Sequence, residues 1–133
     1  MNEPQNALMN KRILIIGAGA VGGYVGAHFA RAGHDVIMAD PWPAHVEHMQ
    51  AHGLRLEGMT EPECFSTPIR AMHFTDLQSL AKEKPADIAF ICVKSYDTPW
   101  AAALAKNYLA ADGFMVSLQN GINEDAIAAV VGR

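Results

Sequence analysis

Cysteine is scarce. Cys64 and Cys92 stand without a second pair, which excludes a disulfide-stapled scaffold and a cysteine-based zinc motif. Excess positive charge is lacking too. Ten basic side chains against fourteen acidic ones leave a formal net charge of −4, so there is no electrostatic footprint for nucleic acid or an anionic membrane surface. No apolar run approaches the roughly 20 residues of a membrane-spanning helix. The polar opening from Met1 to Asn10, with Pro4 inside it, has no apolar core of the kind a signal peptide needs. Residues 1–10 are therefore expected to be a disordered leader on a cytoplasmic protein, and Met9 offers a second start. What remains is globular in composition: 133 residues, 50% hydrophobic and 18% charged. Such a length holds one domain and buries roughly two-thirds of the surface its unfolded chain would expose.

From Lys11 the pattern is regular. Ile13-Leu14-Ile15-Ile16 is a continuous, β-branched apolar run too short for a helix, as in a strand buried on both faces of a parallel sheet. Glycines follow at once. Val21, Val25, His28, Phe29 and Ala32 then recur at helical spacing, with Gly33 as the stop. Asp35 to Ala39 reads as a second strand, completing a βαβ unit. Pro43 suits the first turn of a helix reaching about His52, with Gly53 beyond it. Leu54 to Leu56 and Cys64 to Phe74 suggest short strands with turns. Thr75 with Gln78 resembles a capping box for a short helix through Leu77 and Leu80. Asp87 to Val93 is another buried strand, and Thr98-Pro99 opens a helix expected to end near Ala110. Asp112-Gly113 would turn the chain into a strand from Phe114 to Leu118, and Asn123 would cap a last helix near 124–131. Alternating strands and helices predict an α/β fold of Rossmann type, a doubly wound, mostly parallel sheet. No further strand follows the last helix, so the sheet ends unclosed.

Three constellations carry chemistry. Gly17-Ala18-Gly19-Ala20-Val21-Gly22 matches G-x-G-x-x-G and lies between a buried strand and a helix, where the mechanism of dinucleotide binding requires it. The first glycine makes the tight turn, the second lets backbone approach a pyrophosphate, and the third permits close packing of helix on strand. The helix N-terminus adds free N–H groups and positive potential. Asp40 ends the second strand. It can accept hydrogen bonds from the adenosine ribose and would repel a 2′-phosphate, which favours NAD(H); alternatively it caps the helix begun by Pro43. Lys94 and Asn120 stand at the carboxyl ends of the fourth and fifth strands, where open α/β sheets bind ligands, although each can equally be a surface or turn residue.

These residues resemble a known family. GAGAVGGYVGAHFARAGHDV, VKSYDT and SLQNGINED, in this order, look like the N-terminal domain of ketopantoate reductases (2-dehydropantoate 2-reductases), over about residues 11–133. The resemblance implies that Gly17, Ala18, Gly19, Ala20, Val21 and Gly22 hold the cofactor pyrophosphate. It also implies that Lys94 contacts the cofactor near the reacting centre, and that Asn120 touches both cofactor and substrate. It implies NADP(H) as cofactor, a small 2-oxo acid such as ketopantoate as substrate, and a place in pantothenate biosynthesis. Members of the family place a basic residue after the second strand, where this chain has Asp40 and Pro41. They also continue into a mainly helical second domain that carries the proton-donating lysine and most substrate contacts, and nothing in these 133 residues matches it. The chain is thus expected to be a Rossmann domain over 11–133, without a catalytic residue of its own. A missing second domain or self-association would cover the sheet's open side. The alternative is a stand-alone dinucleotide-binding or sensing module without catalysis.

The remaining polar residues suggest no metal site. His45, His48 and His52 share one helical face, but three ligands on one short helix rarely converge on one ion, and the face reads as solvated. Cys92 in an apolar strand reads as a small buried residue, while Cys64 has no assigned role. Trp42 and Trp100 are expected to cover helix ends, with the adenine as a second possible neighbour for Trp42. No Ser-His-Asp or Cys-His arrangement emerges.

Overall fold

A computed structural model of the chain describes residues 11–56, 64–93 and 98–118. Its first element, β1 (Arg12–Ile16), is apolar on both sides because both sides are covered. Ile13 and Ile15 enter one hydrophobic cluster, whereas Leu14 and Ile16 enter the other. Successive side chains of a strand point to opposite faces, so a run without alternation is what two covered faces require.

The remaining elements are α1 (Ala20–Arg31), β2 (Asp35–Asp40), α2 (Pro43–His52), β3 (Leu54–Leu56), β4 (Phe65–Thr67), β5 (Arg70–His73), a 3-10 helix (Phe74–Lys82), β6 (Ala86–Ile91), α3 (Thr98–Lys106) and β7 (Leu109–Ser117). Five strands form one sheet in the order β5-β2-β1-β6-β7, and every neighbouring pair is parallel. The helices α1 and α2, with the small antiparallel β3–β4 hairpin, lie over the cluster of Ile13, Ile15, Val36, Met38 and Met49. The 3-10 helix and α3 lie over the cluster of Leu14, Ile16, Ile37, Leu77 and Ile91. This is the doubly wound, parallel α/β architecture that the sequence predicts.

Local signals set most boundaries. Pro43 is the first residue of α2 after Trp42 as N-cap, and Gly53 ends it at a φ of +75°. Gly33, at a φ of +97°, follows α1.

Several expectations are corrected. Val25 and Phe29 pack on the core as expected, but the fully buried positions of α1 are Gly22, Gly23, Gly26 and Ala27, while Val21 is 47% exposed and His28 and Ala32 are exposed. Small residues face the sheet because the helix comes so close that a Cβ on Gly26 would lie 2.9 Å from the Met38 sulfur and 3.0 Å from Ile15. The segment after β5 is a 3-10 helix whose cap is His73, not Thr75: the His73 side chain accepts from the Thr75 N–H. α3 ends at Lys106 rather than near Ala110. Asp112-Gly113 makes no turn before a strand. It lies inside β7, where the pairing with β6 shifts between Ala86↔Leu109 and Ile88↔Phe114, as a bulge does.

The amino ends of the strands are tied by charge. Arg12 on β1 reaches Asp35 on β2 at 2.7 Å and Glu83 at 3.1 Å. Arg70 on β5 grips the same Glu83 with two bonds of 2.8 and 2.7 Å. Those bonds hold the Glu83 carboxyl down to about 2, Arg70 contributing most and Arg12 next.

Candidate functional site

At the carboxyl edge the chain order reverses across β1: successive strands run outward through β2 and β5, then cross back to β6 and β7. Such a switch point opens the crevice in which α/β sheets bind ligands. The glycine loop leaves β1 at this place. Gly17 has a φ of +101°, and a Cβ there would lie 2.9 Å from the carbonyl oxygen of Cys92, just past β6. Only glycine meets both conditions. Gly22 presses onto the loop from α1, since a Cβ on it would collide with the Gly17 carbonyl. Gly19 differs from both. It is exposed, and a Cβ on it would meet nothing within 4 Å.

That contrast fits a pyrophosphate. Gly17 and Gly22 pack the loop against the protein, while Gly19 caps α1 and faces open space. No acidic residue occupies the first turn of α1, so no side chain of the helix itself offsets its positive end.

Asp40, 5% exposed, closes the other side. Its Oδ1 accepts from the Ala18 N–H at 2.9 Å and its Oδ2 from the Trp42 N–H at 3.0 Å. The first bond reaches back to the glycine loop; the second supports the cap of α2. An ionised carboxylate has about four acceptor directions, so two such bonds do not exhaust it.

Two histidines that the spacing assigned to no site belong here. His45 lies half-buried on α2 with Nε2 2.9 Å from the Ala18 carbonyl oxygen, so the face it shares with His48 and His52 is not a uniformly solvated one. The latter two are exposed, with ring centroids 4.7 Å apart. His73, at the end of β5, contacts the Pro41 carbonyl through Nε2 at 2.8 Å and Thr75 through Nδ1. Because Nδ1 accepts from the Thr75 N–H, the ring proton resides on Nε2 and is donated to Pro41. Neither contact has a local signal, since the partners are 27 and 32 residues away along the chain.

Trp42 stands at the head of α2 as its N-cap, with the residue 72% exposed beside Asp40. Trp100 is half exposed and leans on Phe74 with ring centroids 5.1 Å apart. Cys92 is half-buried against the glycine loop, and burial pushes its thiol up to about 11. Lys94 and Asn120 lie outside the described residues, as do the leader 1–10 and the helix expected near 124–131. Among the described residues, no group of three or more His, Cys, Asp or Glu is arranged to hold a metal ion, and no helix is long and apolar enough to cross a membrane.

Comparison with known proteins agrees with this geometry. The family model for ketopantoate reductase PanE/ApbA matches residues 13–133. A 2-dehydropantoate 2-reductase of Pyrococcus horikoshii is 35% identical over 92% of this chain. A PanE/ApbA family ketopantoate reductase from Ralstonia eutropha superimposes with a TM-score of 0.75 at 39% identity over 90% of the chain. D-mandelate dehydrogenase, solved with NADH and anilino(oxo)acetate, shares the fold with a TM-score of 0.76 at 24% identity over 91% of the chain. In each case the chain spans little more than a third of the other protein, 37% of the Pyrococcus enzyme and 38% of each of the two structures. With the glycine loop, the parallel sheet and the family match in agreement over the same residues, this chain belongs to the ketopantoate reductase family PanE/ApbA.

Proposed function

We propose that the chain is the dinucleotide-binding part of an NAD(P)H-dependent 2-dehydropantoate 2-reductase, which reduces the ketone of ketopantoate or a related 2-oxo acid. The observation that carries this is the glycine loop at the switch point: Gly17 and Gly22 are packed to contact while Gly19 is left open at the head of α1. The nicotinamide supplies the hydride when bound; the chain's own residues bind and orient. Gly17 to Gly22 hold the pyrophosphate through backbone N–H groups. Lys94 approaches the cofactor near the reacting centre, and Asn120 contacts cofactor and substrate. The proton donor and most of the substrate contacts belong to a second, helical domain of the whole protein, or the exposed side is covered by self-association. On this reading, residues 1–10 are a leader and 11–133 the Rossmann domain of a cytoplasmic enzyme.

NADH is the preferred cofactor on this reading. Asp40 places a negative charge at the carboxyl end of β2, where a ribose 2′-hydroxyl is welcome and a 2′-phosphate is repelled. Titration of the chain with NADH and NADPH tests this, and NADH should bind more tightly. In Asp40→Ala both affinities fall, because the Ala18 N–H loses its acceptor, and the gap between the two cofactors narrows. A wild-type preference for NADPH that the substitution leaves unchanged overturns the assignment. These 133 residues alone are expected to bind cofactor and to turn over essentially no ketopantoate, which an NADH- and NADPH-oxidation assay with ketopantoate checks.

A further inference from the structure

Ala18 is held at both ends. Its N–H donates to Asp40 at 2.9 Å, and its carbonyl oxygen lies 2.9 Å from His45 Nε2. A carbonyl oxygen only accepts, so Nε2 carries the proton and donates it. Each trans peptide unit is planar, with its C=O and N–H pointing in opposite directions. Fixing one group therefore aims the other. With the Ala18 N–H turned to Asp40, the Gly17 carbonyl points the opposite way, to where it blocks any Cβ on Gly22. With the Ala18 carbonyl turned to His45, the Gly19 N–H points away from α2, on the exposed residue that leaves open space.

We propose that His45 is a positioning residue of the dinucleotide site, which sets the direction of the Gly19 N–H by holding the Ala18 carbonyl. It acts through Ala18 and touches no ligand atom. His45 is well placed for this role because α2 is anchored in the core by Val46 and Met49. The loop it holds has a glycine on either side of Ala18, and glycine samples conformations closed to other residues. A loop ordered before binding need not be ordered by the ligand, and affinity gains accordingly. The inference rests on the reading of this loop as a pyrophosphate cradle.

The test compares His45→Gln with His45→Met in the full chain. The two side chains have nearly the same shape, but only glutamine offers an N–H to the Ala18 carbonyl. Dissociation constants for NADH and for NADPH, with thermal unfolding recorded alongside, give the result. His45→Gln should bind both dinucleotides within about twofold of wild type. His45→Met should bind both about three- to tenfold more weakly, the worth of one hydrogen bond, by the same factor for each because the pyrophosphate is common to both. If His45→Met binds as tightly as wild type, the role is overturned. If His45→Gln loses as much as His45→Met, the donated hydrogen bond is not the cause and the role is again overturned. A wild-type chain that binds neither dinucleotide refutes the cradle itself, an outcome distinct from these.

Discussion

The carbonyl oxygen of Gly17 occupies the space that a Cβ on Gly22 would need. Helix α1 therefore meets the loop backbone to backbone, with no side chain between them, and this close approach delivers the helix N-terminus to the switch point of the sheet. Gly22→Ala should destabilise the chain by about 1–3 kcal/mol, the usual cost of forcing volume into a packed site, because the obstacle is main chain and cannot swing aside. Gly26→Ala should stay within about 1 kcal/mol of wild type. Its obstacles are the sulfur end of Met38 and the Ile15 methyl, and alanine's better helix propensity offsets their displacement. Urea unfolding of both variants checks the ranking; equal losses would contradict it.

Glu83 joins β1 to β5 through Arg12 and Arg70, and its carboxyl is held down to about 2. A carboxylate with a depressed folded-state pKa adds stability above its ordinary value of 4.5, and that contribution is lost as pH falls toward 2. Glu83→Gln should therefore unfold at a lower temperature than wild type at pH 7. The two melting curves should converge between about pH 4.5 and pH 2. A difference that persists unchanged at pH 2 would show that the ion pairs are not its source.

Burial raises the Cys92 thiol to about 11, so near pH 8 only about one thiol in a thousand is the reactive thiolate. In a Cys64→Ser chain, alkylation by iodoacetamide at pH 8 should be slow in the native state and speed up greatly in urea. Equal rates in the two conditions would refute this.

Trp42 stands 72% exposed beside Asp40, with an aromatic face available to a base at the adenosine end. Stacking on an aromatic side chain is worth about 1–3 kcal/mol per base, so Trp42→Ala should weaken dinucleotide binding by about 5- to 150-fold. In a Trp100→Phe chain, where emission reports Trp42 alone, oxidised dinucleotide should quench the fluorescence. A bound dinucleotide without quenching would remove Trp42 from the site.

What was legible in the sequence has local causes. The unbroken run Ile13-Leu14-Ile15-Ile16 requires two covered faces, and the glycines after it match a loop whose φ and close contacts admit little else. Pro43 and Gly53 mark the two ends of α2 because one lacks an N–H and the other tolerates positive φ. Gly17, Gly19 and Gly22 could each be given a role from spacing alone, and the structure shows a positive φ at the first, open space at the second and backbone contact at the third.

The rest depends on residues distant along the chain. No period in the sequence reveals that Arg70 to His73 pairs with β2 inside the main sheet, because strand pairing is chosen by partners and not by propensity. The exposure of Val21 is equally hidden: apolar spacing points it inward, but the close approach permitted by Gly22 and Gly26 turns α1 another way. Asp40 shows the division most clearly. Its acidity at the end of β2 was determined by the sequence, and so was the glycine pattern of the loop before it. Only the tertiary structure decided that its carboxylate, together with His45, would hold the two ends of Ala18, since a hydrogen bond between separate βα units exists only once the sheet has brought those units side by side.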